Sequence, residues 1–86
     1  MPEICRFFGI VIAMYYSDHA PPHFHVRYAS YRASLALEPL ALMEGRLPPR
    51  VLGLVMEWAS LHRLELREDW DRAARAEPLK RIAPLR

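Results

Sequence analysis

Eighty-six residues, 52% apolar and 26% charged, exclude general disorder and set the scale of one small domain spanning 1–86. The net charge of +2 sits wholly in the last ten residues, where Lys80, Arg81 and Arg86 face only Glu77. Bulk charge therefore makes no case for nucleic-acid binding, and such a case must rest on local placement. The lone Cys5 excludes an internal disulfide and suits a reducing, cytoplasmic setting.

Phe7 to Tyr16 is strongly apolar, but too short to span a bilayer, and Glu3 as well as Arg6 lies upstream. Asp18, His19 and a proline pair follow it instead of a small-residue cleavage site. The expectation is a buried strand, with no leader peptide and no membrane association. Around Gly9, residues 3–16 read as two short strands joined by a tight turn, with Ile10, Ile12, Met14 and Tyr16 on one face. Asp18 to Pro22 form a stiff loop, because Pro21 and Pro22 each fix φ and restrict the residue before them.

His23 to Tyr28 and Tyr31 to Glu38 then predict a hairpin. If Tyr28 opposes Tyr31, Val26 opposes Ala33 and Phe24 opposes Leu35, those six share one face. The same register gathers His23, His25, Arg27, Arg32, Ser34 and Ala36 on the other. Ala29-Ser30 lacks the Gly or Asn of a two-residue turn, so a looser four-residue loop is expected. Glu38 through Leu47 reads as a connector containing Gly45.

Pro48-Pro49 suits the first turn of a helix. Val51, Val55, Trp58, His62, Leu66, Trp70 and Ala73 recur at helical spacing, with Glu68–Arg72 and Asp71–Arg75 as i,i+4 pairs. One helix, or a pair bent near Ser60, is expected between 48 and 76. Pro78 and Pro84 keep residues 77–86 extended, yet Leu79, Ile82 and Leu85 are too apolar for an idle tail. The whole is an α+β fold: an antiparallel sheet of three to four strands within 1–38, and a helix or helix pair across its apolar face. The loop histidines are expected on the face the helix leaves uncovered.

Met1 to Ile4, the stretch Asp18-His19-Ala20-Pro21-Pro22-His23-Phe24-His25-Val26, the pair Trp58 and Trp70, and the tail Ile82-Ala83-Pro84-Leu85 together resemble the small bacterial family named domain of unknown function 4160. The resemblance covers essentially the whole chain, and the Asp-His-x-Pro-Pro-His-x-His-Val pattern is its specific part. It implies no activity. It does imply a gene that neighbours that of another small protein, an arrangement similar to toxin–antitoxin pairs, and hence a protein partner.

Three readings of the histidine loop follow from residue chemistry. As a metal site, His23 and His25 project from one strand face at i and i+2, and Asp18 and His19 supply further ligands from the loop; zinc is the expected cofactor. As an acid–base site, His23 and His25 are the catalytic pair, and Arg27, Arg32 and Ser34 bind the phosphate of an RNA. Arg27 and Arg32 would face each other across the hairpin, which is unfavourable unless an anion lies between them, either a carboxylate such as Glu38 or a phosphate. As a purely structural loop, Asp18 and His19 bond to backbone and His25 bonds to Ser34. His62 reads as a core histidine, and Trp58 and Trp70 as core or interface residues. The functional expectation is one half of a two-gene module with an RNA-binding or RNA-cleaving His/Arg face. The alternative is a non-catalytic protein-binding module, with the helix or tail as the interface to the neighbour's product or to a second copy.

Overall fold

A computed structural model describes residues 2–86; Met1, part of the Met1–Ile4 segment of the resemblance, lies outside the described residues. The N-terminal half is a five-stranded antiparallel meander of β1 (Glu3–Phe7), β2 (Ile10–Ala13), β3 (His23–Tyr28), β4 (Tyr31–Leu37) and β5 (Leu40–Gly45), in sequential order. Helices α1 (Pro49–Leu61) and α2 (Arg63–Ala74) follow. The fold is α+β, with one or two more strands than the sequence reading gave.

The added strand is β5, read above as a connector. Leu40, Ala41, Leu42, Met43 and Glu44 carry no β-branched signal, and their strand conformation comes from the ladder they make with β4. Gly45 closes that ladder at φ 77°, and a Cβ there would lie 2.1 Å from the Arg32 carbonyl oxygen. Only glycine fits that approach.

The hairpin of β3 and β4 has the expected register: Tyr28↔Tyr31, Arg27↔Arg32, Val26↔Ala33, His25↔Ser34, Phe24↔Leu35 and His23↔Ala36. Its turn is the tight two-residue one, not the looser loop expected. Ala29 accepts a φ of 51° in place of the usual Gly or Asn. In the turn between β1 and β2, Phe8 and Gly9 both take positive φ, at 50° and 78°. Ile10, Ile12 and Met14 are fully buried as expected, whereas Tyr16 is exposed, because the chain has left the strand by then.

The core lies between the sheet and α1. Trp58 is fully buried in one core cluster with Phe24, Ile12, Leu35 and Val55, and its ring meets Phe24 edge-on. The helical segment bends at His62 (φ −122°, ψ 29°), two residues beyond the expected point. His62 stacks beside Trp58, and its Nδ1 lies 2.6 Å from Glu65. Glu68 and Arg72 pair as expected. Asp71 instead takes Arg67, and Arg75 takes Glu77, because the chain turns out of helix at Ala76 and brings Glu77 back.

The tail is bound to the domain itself. The Ile82 amide donates to the Ile4 carbonyl at the outer edge of β1, Trp58 Nε1 donates to the Ala83 carbonyl at 2.8 Å, and the Lys80 amide donates to buried Asp69 at 2.9 Å. Ile82 is buried, and Leu79 and Leu85 pack against the core. Among the described residues, no helix is long and apolar enough to cross a membrane.

Candidate functional site

The loop from Ser17 to Pro22 is held at both ends. Ser17, at φ 55°, donates from its amide to the Ala73 carbonyl at the end of α2, and the Pro22 carbonyl accepts from Leu37 on β4. Between them the chain passes through a cis Ala20–Pro21 peptide. The His19 amide donates to Asp18 Oδ1 at 2.9 Å, which fixes the carboxylate plane. Asp18 thereby points its second oxygen at the start of β3.

Two histidines meet that oxygen. His23 Nε2 and His25 Nε2 each lie 3.0 Å from Asp18 Oδ2, so the three groups form one compact cluster. The His25 contact is a hydrogen bond. His23 Nδ1 lies 2.7 Å from the Pro21 carbonyl, an acceptor only, so that nitrogen carries the proton and Nε2 faces the carboxylate. Burial works to raise the Asp18 carboxyl, but the hydrogen bonds from His25 and from the His19 amide outweigh it and hold it below its ordinary value.

His23 is not on an uncovered face. Its side chain is 2% exposed, because α2 brings the Trp70 ring to 5.1 Å on one side and His19 stacks at 5.1 Å on another. His19 itself is 71% exposed, its Nε2 is 3.8 Å from Asp18 and its Nδ1 is 3.2 Å from the Ala20 carbonyl. It lies beside the cluster, outside the three converging groups. His25 is partly exposed and receives Tyr15 edge-on at 4.5 Å. Tyr15 and Trp70 went unassigned to the site in the sequence reading. Tyr15 continues the Val11–Ala13 alternation by one step, which is a weak signal. Trp70 reaches the site only through the path of α2, which leaves no local signal.

On the open face of the sheet, His25, Arg27, Arg32, Tyr15, Val11 and Ala13 line a small cavity of about 120 Å³. Arg27 and Arg32 are direct cross-strand partners, and no ion pair engages either among the described residues. The carboxylate suggested as their counter-ion is elsewhere, since Glu38 pairs with Arg67 at 2.7 Å. Ser34 does not bond His25, which is committed to Asp18; the buried Ser34 hydroxyl oxygen has no partner among the described residues. Glu44, paired in register with Ser34, lies at the rim where His25, Arg32 and Ser34 border a second depression.

The family model described as Domain of unknown function (DUF4160) matches residues 9–71. That span holds the loop, both tryptophans and the arginine pair, and leaves out β1 and the tail. No curated protein and no solved structure matches the chain.

Proposed function

The chain belongs to the DUF4160 family, and we propose that it works as one component of a two-gene, toxin–antitoxin-like pair whose His/Arg sheet face binds the phosphate backbone of RNA. The observation that carries this reading is the Arg27–Arg32 pair. Two arginines at directly paired positions of neighbouring strands bring like charges together, which is unfavourable, and neither has a carboxylate partner among the described residues. An anion between them removes the repulsion and gains charge-assisted hydrogen bonds. The adjoining cavity of about 120 Å³ holds the equivalent of about four waters, a space suited to a phosphoryl group. The Ser34 hydroxyl, buried without a partner among the described residues, is a further donor.

Binding is better supported than cleavage. Two-histidine catalysis needs both rings at the substrate, and His23 is enclosed by Trp70 and His19. Of the two histidines read as a catalytic pair, His25 alone borders the arginine cavity. The test is an NMR titration with inorganic phosphate and with a short single-stranded RNA. Resonances of residues 25–34 should move first, and Arg27→Ala should weaken the effect while Arg75→Ala leaves it intact. Equal losses from both variants would reduce the interaction to nonspecific attraction.

A second reading, a protein-docking module, is favoured by Leu61 and Leu64, which are 68% and 87% exposed at the bend between the helices. Leu64 borders an apolar groove with Leu37, Leu40 and Leu66, flanked by Arg63 and Arg67. Apolar side chains so placed suit the neighbouring gene's product. Leu64→Ser should abolish its capture and leave the phosphate titration unchanged.

A further inference from the structure

We propose that Asp18, His23 and His25 form a mononuclear site for a divalent first-row transition ion of the zinc type, with an open coordination position. This goes beyond the phosphate reading and rests on none of it.

The Pro21 carbonyl, 2.7 Å from His23 Nδ1, takes that nitrogen's proton and turns Nε2 toward Asp18 Oδ2 at 3.0 Å. His25 Nε2 reaches the same oxygen at 3.0 Å. Three ligand atoms of the types that hold first-row transition ions therefore converge on one point. The Trp70 indole and the His19 imidazole close the space around His23.

An ion shared by these atoms fits the local design. A backbone carbonyl that fixes the far nitrogen of a ligating histidine is a recurring feature of metal sites. Here the carbonyl belongs to Pro21 in the loop that also orients Asp18 through the His19 amide. Two donors about 2.0–2.2 Å from one ion, at angles of about 90–110°, lie about 2.8–3.6 Å apart. Both nitrogen–oxygen separations here are 3.0 Å. Two imidazoles and one carboxylate are a donor set for zinc, iron(II), cobalt(II) or nickel(II), and a poor one for magnesium or calcium, which require more oxygen ligands. Three protein ligands, with His25 and Asp18 partly exposed, leave a position for water. Trp70 and Tyr15 wall the histidines in.

The test uses the full chain with zinc alone and with cobalt(II) alone. Calorimetry should give one zinc per chain, cobalt should develop visible ligand-field bands, and magnesium should give neither. On zinc addition the ring resonances of His23 and His25 should shift before those of His62. Asp18→Asn and His25→Gln should each weaken binding at least tenfold, while His19→Ala stays within about threefold. Because His23 is buried and His23→Ala puts folding itself at risk, the partly exposed pair of variants, checked by circular dichroism, decides the matter. Absence of zinc binding at tens of micromolar, or Asp18→Asn and His25→Gln that fold and bind like the parent, would overturn the proposal.

Discussion

Gly45 and Gly53 pose opposite demands on the same residue type. At Gly45 the backbone is left-handed and an added Cβ meets the Arg32 carbonyl, whereas at Gly53 on α1 the same Cβ meets nothing within 4 Å. Gly45→Ala should lower stability by at least about 2 kcal/mol, from the left-handed penalty and the displaced strand. Gly53→Ala should raise it by about 0.5–1 kcal/mol, since the helix loses its most flexible residue. Urea unfolding of the two variants measures both. Asp69 is the other residue with a clear consequence. Burial, against the opposing Lys80 amide and Arg72 charge, pushes its carboxyl above the ordinary value, and its second oxygen has no partner among the described residues. A carboxyl with a raised folded value binds its proton more tightly folded than unfolded. Its contribution to stability is therefore greatest in acid, below the unfolded value near 3.8, and is lost as pH rises through the folded value. Asp69→Asn keeps an oxygen for the Lys80 amide and removes that dependence. The variant should match the parent near pH 3 and gain on it toward pH 7, and a gap that narrows with rising pH would refute the assignment.

The elements differ in how far local sequence specifies them. The β3–β4 hairpin was legible because two alternating segments agree on a single register, and a one-residue slip would put Arg27 or His25 into the core. The convergence of Asp18, His23 and His25 was legible as a candidate from the i, i+2 spacing beside a stiff loop. β5 was not legible, since Leu, Ala, Met and Glu favour helix and its strand state comes from β4. Nor was the burial of His23, which depends on where α2 sets Trp70. The tail was legible as apolar and non-helical, and the structure supplies its partners: β1, Trp58 and Asp69. Removing residues 78–86 exposes the Ile82 contact and leaves Trp58 Nε1 without its acceptor. Each buried aliphatic side chain contributes about 1.5–3 kcal/mol, a large part of a small domain's stability. The truncated protein should melt markedly lower while the number of chains per particle, read by light scattering, stays that of the full chain. An unchanged melting temperature would show the docked tail to be dispensable.

At the scale of the whole molecule, the two faces of the sheet carry different work. One is filled by α1 and the tail around Trp58. The other leaves Arg27 and Arg32 side by side with no ion pair among the described residues. A net charge of only +2 gives little long-range attraction for nucleic acid, so affinity for RNA has to come from these local groups. The affinity of a short single-stranded RNA measured across a range of salt concentrations tests this most directly. Two phosphates neutralised on a single strand give a slope of log affinity against log salt of about −1.4, and losing one arginine reduces it to about −0.7. The parent should show the first value, Arg27→Ala and Arg32→Ala the second, and Arg75→Ala the first again. A slope that Arg27→Ala and Arg32→Ala leave unchanged would contradict a phosphate site on this face.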